Sequence, residues 1–446
     1  MSNDKAQCKS QTNNESRVVE APRYGCSLSG VYEATVGLKK AVPILHSGSG
    51  CGMSQIHGTG MAGGFNSTGD YGSTNVPCSS LVEEHVIFGG EDKLRKLVDS
   101  SIQMFNSDLF VVISGCVPSL IGDDVDAVVG EFRDKVPLIH VNAPGFSGNS
   151  FHGYELFFEA LADQLLTPKR KRKKLVNIFG IVPFQHLFWK GELKTIKQIL
   201  KDIGVEANVI FTEFDTLETL EKIPAAAYNL VLSPWVGHRA AKKLEEKFGT
   251  PFVSFPGPPV GPIQTTKFLR KVADLLDLPT KKVEDYIFKQ ERESYDLLEF
   301  GADAIIVYDP NSYFAVAADT NTAINITKYL TDEISALPEV IIITDDPPVE
   351  FRDQIVKEFE SKEINFSPEI IFEKDTYKIQ KHLENRSFST LFASSIESAF
   401  ANKLNKLHLT VTFPSYNRLV LGDNYVGYFG GTHFIENAKS IKLGPL

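Results

Sequence analysis

Three cysteines stand where an apolar stretch runs into glycine. They are Cys26 in Arg23-Tyr24-Gly25-Cys26-Ser27, Cys51 in Val42-Pro43-Ile44-Leu45-His46-Ser47-Gly48-Ser49-Gly50-Cys51, and Cys116 in Val111-Val112-Ile113-Ser114-Gly115-Cys116. The second and third follow runs that read as buried strands, so both thiols belong at strand carboxyl ends, where parallel α/β sheets carry their sites. Gly25, Gly50 and Gly115 beside them let backbone approach a bulky ligand and free amide N–H groups to hydrogen-bond it. Three thiolates on separate loops could converge on a soft metal group. Zinc usually takes its ligands in close pairs such as Cys-x-x-Cys, and the chain has none. An iron–sulfur cluster is larger and accepts ligands from distant loops. Widely spaced cysteines are more often small buried residues, and spacing alone leaves both readings open.

The other candidates carry less chemistry. Cys8 lies in a polar tail and reads as an unliganded surface thiol; Cys78 precedes the helical pattern Leu81 to Gly90 and reads as packing ahead of a helix-start thiolate. Gly58-Thr59-Gly60-Met61-Ala62-Gly63 matches the dinucleotide pattern, with Glu83 and Glu84 following. No strand ends at Gly58 and Phe65 to Gly72 cannot open a helix, so a nicotinamide site fails on context and the segment reads as a covering loop. No phosphate-binding G-x-x-x-x-G-K-[ST] occurs, so the chain does not hydrolyse nucleotide itself. His46 reads as a donor toward the cysteine site or a cap of its own loop. His57 and His85 need no role, His152 reads as a loop histidine, and Trp235 as packing. Asp123 and Asp124 fit an N-cap and a first-turn charge better than acid–base catalysts.

The elements that must position these residues follow from pattern. Eleven short apolar runs recur: Leu109 to Ser114, Pro137 to Asn142, Leu175 to Ile181, Ala207 to Phe211, Asn229 to Ser233, Pro251 to Phe255, Ala304 to Tyr308, Val340 to Thr344, Glu369 to Phe372, Thr390 to Ala393 and Leu409 to Phe413. Continuous apolar runs suit strands buried on both faces of a parallel sheet. Amphipathic stretches between them, such as Gly191 to Lys201, Arg239 to Lys247, Thr265 to Leu276 and Val349 to Lys362, are helices. The fold class is therefore α/β, with three doubly wound, mostly parallel-sheet, Rossmann-like domains. Residues 1–15 form a frayed polar tail, 16–168 the cysteine-bearing domain, 175–298 a second and 299–446 a third. The breaks fall at the exposed charge run Lys169 to Lys174 and near Glu299 to Gly301. A chain of 446 residues carries three such cores, and its net charge of −10 argues against nucleic acid as a partner. No run is long enough to span a membrane and the first residues lack a secretory core, so the expected location is cytoplasmic, where five cysteines cannot serve as a disulfide framework.

At these residues the chain resembles the nitrogenase component 1 family, from Arg17 to the C-terminal region. The marks are the three cysteines in order, His46-Ser47-Gly48-Ser49-Gly50-Cys51, Val86-Ile87-Phe88-Gly89-Gly90, Gly115-Cys116 with Ile121-Gly122-Asp123-Asp124, and Asn142-Ala143-Pro144-Gly145-Phe146-Ser147-Gly148. The resemblance implies an α-type partner, an α2β2 heterotetramer, and an interfacial P-cluster of 8Fe-7S type held here by Cys26, Cys51 and Cys116. It also implies an ATP-hydrolysing iron protein that delivers electrons, and a catalytic iron–sulfur cofactor held by the partner. Ser233 stands where an α-type chain carries the cofactor cysteine, and the tail from Phe413 to Gly431 looks β-like, with His433 not aligned to the cofactor histidine. Gly145 stands where molybdenum-enzyme β subunits offer a serine to the oxidised cluster, with Ser147 and Ser150 nearby. The implied function is a β-type electron-relay subunit of a nitrogenase or nitrogenase-like reductase. The alternatives are a cofactor-assembly scaffold subunit or a subunit of a methylthio-alkane reductase that cleaves carbon–sulfur bonds.

Overall fold

The computed structural model describes residues 19–60, 76–212, 214–307, 313–360 and 368–443. Cys8, the 1–15 tail, Met61-Ala62-Gly63 and Phe65 to Gly72 lie outside them. The described strands form three sheets, parallel throughout. The first contains β1 (Ala41–His46), β2 (Leu109–Ser114) and β3 (Leu138–Asn142), in the order β1-β2-β3. The second contains β4 (Arg172–Phe179), β5 (Glu206–Val209), β6 (Ala226–Val231) and β7 (Phe252–Ser254), in the order β5-β4-β6-β7. The third contains β8 (Tyr313–Ala318), β9 (Leu337–Ile343), β10 (Ile370–Phe372), β11 (Thr390–Ala393) and β12 (Leu407–Thr410), in the order β10-β9-β8-β11-β12. Strand order reverses about β4 and about β8, which is the doubly wound topology.

Two-sided burial explains the apolar runs. Along β2, Val111 and Ile113 enter the largest core cluster, while Phe110 and Val112 face the opposite side with Ile44 and Val128. The third sheet behaves alike, with Val316 and Ile341 on the shared core and Ala315, Val340 and Ile342 on the outer face. One apolar cluster is continuous across all three sheets. Buried amides and indole tie the second sheet to the third: Asn321 Nδ2 donates to the Gly180 and Leu232 carbonyls at 3.0 Å each, and Trp235 Nε1 to Asp345 Oδ2 at 3.2 Å.

Register then places the chemistry. His46 pairs with Ser114 and Ser114 with Asn142, so these three residues stand abreast at the carboxyl edge of the first sheet. The segments that follow them, each carrying part of the cysteine and glycine pattern, must be neighbours.

Two expectations are corrected. Ala304 to Tyr308 is not a strand: the helix Ala302–Val307 occupies it, and Tyr308 lies outside the described residues. The first strand of the third sheet is instead Tyr313–Ala318, whose alanines have low intrinsic strand preference but fill the narrow centre of a sheet covered on both faces. The charge run Lys169 to Lys174 is exposed as expected, yet β4 already begins within it at Arg172.

Candidate metal centre

Cys26, Cys51 and Cys116 each sit at a helix start. Cys26 is the extended N-cap residue of the helix Ser27–Val36, Cys51 lies in the first turn of Ser49–Gly60, and Cys116 opens Cys116–Ile121 behind Gly115. Cys26 is held by an antiparallel bridge to Asn149, with Ser27 N–H donating to the Gly148 carbonyl and Ser150 N–H to the Gly25 carbonyl, both at 2.9 Å. Its helix packs against Ser150–Gln164 at a glycine–glycine contact. A Cβ at Gly30 would fall 1.8 Å from the Ser150 carbonyl oxygen, and one at Gly153 2.0 Å from that of Ser27.

The sulfurs of Cys26 and Cys116 meet at Gly145. A Cβ there would lie 3.2 Å from Cys116 Sγ and 3.3 Å from Cys26 Sγ, so a side chain at this position would fill the space between them. Gly145 N–H also donates to Cys116 Sγ at 3.0 Å. Cys51 joins through Ser47, whose hydroxyl donates to Cys51 Sγ at 3.1 Å and sits where a Cβ on Gly115 would come within 2.5 Å of it. All three thiols are free and half-buried. Among the described residues, nothing beyond the local backbone lies within 4 Å of a Cβ position at Gly48 or Gly50. Gly25 plays a different part: its missing side chain clears Ser29 Oγ, 2.2 Å from the Cβ position. Ser147 Oγ lies 2.8 Å from the Pro144 carbonyl and 2.9 Å from Ser27 Oγ, within the Gly145 loop. Ser150 is buried and donates to Gln185 at 2.9 Å.

Among the described residues, no three His, Cys, Asp or Glu side chains converge closely enough to hold a single metal ion. Soft thiols on three loops, backbone and hydroxyl donors aimed at two sulfurs, and a glycine-lined gap fit an iron–sulfur group, whose size spans what one ion cannot.

The surroundings resolve the remaining candidates. His46 is fully buried, with Nε2 3.0 Å from Asp123 Oδ2 and Nδ1 3.0 Å from Ser79 Oγ. Because the carboxylate can only accept, Nε2 carries the proton and Nδ1 accepts from Ser79. His46 therefore clamps loops and does not face sulfur; burial holds its pKa below the usual range against the pull of Asp123. Asp123 also accepts the Gly90 N–H at 3.0 Å, while Asp124 is an N-cap, accepting from Ala127 N–H at 3.0 Å. Cys78 does not open a helix. It is bridged to Leu45, with its Sγ 3.6 Å from the Ser47 carbonyl and 3.7 Å from that of Gly48, and the helix begins only at Glu83. His152 pairs with Arg239 at 2.9 Å, and burial followed by that cation lowers its pKa. Gly58 and Gly60 fall inside the helix Ser49–Gly60, so no strand precedes the glycine pattern.

Several large apolar side chains near the cysteines are exposed. Ile87, Phe88, Leu120 and Phe146 are 73%, 82%, 74% and 65% exposed on segments adjoining the site. Exposed apolar side chains grouped in this way form a candidate contact surface. Away from it, Ser233 is fully buried and its hydroxyl accepts the Trp235 and Val236 N–H groups at 3.3 and 3.1 Å. Nearby, Tyr24 stacks on Phe413 and meets Phe151 edge-on, and Phe151 packs at a tilt against Trp235. His433 is 47% exposed and paired with Asp423 at 3.1 Å.

Comparison with known proteins bears on the family and the fold. The family model described as "Nitrogenase component 1 type Oxidoreductase" matches residues 26–441. The chain is 24% identical to the nitrogenase vanadium-iron protein beta chain of Trichormus variabilis, covering 94% of this chain and 92% of that one. It is also 24% identical to the nitrogenase iron-iron protein beta chain of Rhodobacter capsulatus, covering 95% and 93%. The nitrogenase iron-molybdenum cofactor biosynthesis protein NifE of Clostridium pasteurianum is 30% identical over 54% of this chain and 53% of its own length. The solved structure "Nitrogenase Cp1 at pH 6.5" shares the fold, with TM-score 0.78 and 18% identity over 97% of this chain and 94% of that one. No helix among the described residues is long and apolar enough to cross a membrane. With the family match spanning all three sheets and beginning at the first site cysteine, this chain is a β-like member of the nitrogenase component 1 type oxidoreductases.

Proposed function

We propose that the chain is the β-type subunit of a nitrogenase or nitrogenase-like reductase, with Cys26, Cys51 and Cys116 holding its half of an interfacial P-cluster. Its domains divide as 16–168, 175–298 and 299–446. The observation that carries the reading is the meeting of the Cys26 and Cys116 sulfurs at Gly145, with Cys51 across Ser47, near exposed apolar side chains. When bound, the cluster supplies one-electron storage between an ATP-hydrolysing iron protein and a catalytic cofactor in the α-type partner. This chain's residues fix the thiolates. The Gly145 N–H neutralises part of the Cys116 charge, helix starts at Cys26 and Cys51 present positive dipole ends, and the exposed apolar side chains exclude water once the partner is seated. Ser233 offers a hydroxyl already committed to backbone, a poor ligand for a soft metal, which supports placing the catalytic cofactor in the partner.

The test is anaerobic isolation of the complex with its partner, followed by iron and sulfide counts and EPR. Replacing Cys26, Cys51 or Cys116 singly by Ala should each remove iron and the cluster signal, whereas Cys78→Ala should retain both. Full iron in any of the three site variants would refute the ligand assignment. The similarity to NifE supports a second reading, a scaffold on which cofactor is built. Turnover with iron protein and ATP separates the two, since a scaffold would show none.

A further inference from the structure

We infer that Ser47 is a positioning residue that raises the reduction potential of the bound cluster through its O–H···S bond to Cys51. This rests on the proposed ligation by the three cysteines.

Ser47 is 1% exposed, and among the described residues Cys51 Sγ, at 3.1 Å, is the sole hydrogen-bond partner of its hydroxyl. The hydroxyl is not a surface group that happens to rest on sulfur. Its backbone is pinned on both sides: the N–H donates to Ser79 Oγ at 3.1 Å, and the carbonyl accepts Leu81 N–H at 3.0 Å. Ser79 is in turn fixed by His46, and His46 by Asp123. On the far side stands Gly115, the residue before Cys116. A Cβ there would come 2.5 Å from Ser47 Oγ and 3.0 Å from Ser47 Cβ, so the missing side chain makes the room in which the hydroxyl sits. Ser47 thus lies between the Cys51 and Cys116 loops with one direction left for its proton, toward sulfur.

A hydrogen bond to a thiolate draws off negative charge, and it is worth more in the reduced cluster, which carries one more electron. Stabilising the reduced form raises the potential. On Cys116 the corresponding donor is the Gly145 N–H, which belongs to the backbone; on Cys51 it is a side chain and can be removed.

The experiment uses the complex isolated anaerobically with its partner, with the midpoint potential read by EPR-monitored titration and iron counted on the same samples. Ser47→Ala and Ser47→Gly should keep the iron content and lower the potential. Poised at the wild-type midpoint, the oxidised-to-reduced ratio should rise about tenfold, equal to about 59 mV for a one-electron couple. Ser47→Thr keeps the hydroxyl and should return the potential to the wild-type side. A role in packing alone would group Thr with Ala. Unchanged midpoints in the Ala and Gly variants at full iron, or a Thr variant shifted as far as Ala, would overturn the inference while leaving the ligand reading intact. Wild-type complex without iron would overturn both. If one of the apolar variants fails to accumulate, the comparison of the other with Thr decides.

Discussion

The same change, glycine to alanine, should have opposite effects at two places within the cysteine region. In the helix Ser27–Val36, a Cβ at Gly30 would stand 1.8 Å from the Ser150 carbonyl oxygen and 2.9 Å from the Tyr154 nitrogen, both backbone atoms that no rotamer change can move. Real Cβ atoms stay beyond about 3.0 Å, so the helix must back away from Ser150–Gln164 by about 1.2 Å in a close-packed interior. Overpacking on that scale costs about 3 kcal/mol, the upper end for such changes, and the better helix propensity of alanine returns about 1 kcal/mol. Gly30→Ala should therefore lose about 2 kcal/mol. At Gly50, in the helix Ser49–Gly60, nothing among the described residues beyond the local backbone lies within 4 Å of the Cβ position, and Gly50→Ala should be neutral or gain up to about 1 kcal/mol. Urea unfolding of the metal-free chain, followed by tryptophan fluorescence, measures both. Because Cys26 caps the displaced helix, Gly30→Ala should also lower the iron content of the complex. Two variants within 1 kcal/mol of each other, or a Gly30→Ala chain as stable as wild type, would refute the close-packing argument.

Three further outcomes follow. Asp345 is buried beside Asp319, and its pKa is pushed up to about 7. A raised carboxyl favours the folded state fully only below its unfolded pKa, and that contribution is lost as pH rises through about 7. The advantage of Asp345→Asn over wild type should accordingly grow by a few kcal/mol between pH 5 and pH 8, as denaturant midpoints at the two pH values would show; an advantage that does not change with pH would exclude this account. Arg23 and Glu397 form a buried ion pair that ties the segment before Cys26 to the third sheet, with Ser394 as an added acceptor at 2.7 Å. Arg23→Met should cost about 3–5 kcal/mol by stranding the carboxylate, and Arg23→Met with Glu397→Leu should recover most of it, a coupling measurable by a double-mutant cycle. Asp123→Ala leaves His46 and the Gly90 N–H without their acceptor and should cost about 2–3 kcal/mol in the same unfolding assay, with Asp123→Asn closer to wild type.

Much of the architecture is legible in apolar runs. Leu109 to Ser114 and Thr390 to Ala393 read correctly as strands because burial on both faces demands uninterrupted hydrophobicity. Ala304 to Tyr308 reads as a strand although helix Ala302–Val307 occupies it, because short apolar stretches have no resolvable period, and Tyr313–Ala318 is not legible as a strand because only its place between β9 and β11 makes an alanine-rich segment a central one. His46 could be read two ways, since its partners Ser79 and Asp123 lie 33 and 77 positions away, beyond any local pattern.

The amino-acid sequence by itself settled which side chains have the chemistry: three thiols, each next to a glycine, and a serine where an α-type chain would offer another thiol. Tertiary structure alone decided that two of the sulfurs share one gap and that the third is joined to them through a hydroxyl. The register of β1, β2 and β3 lines up chain positions tens of residues apart, and the contact of Gly30 with Gly153 sets the position of Cys26 against them. Such long-range distances depend on backbone packing, which residue spacing does not encode.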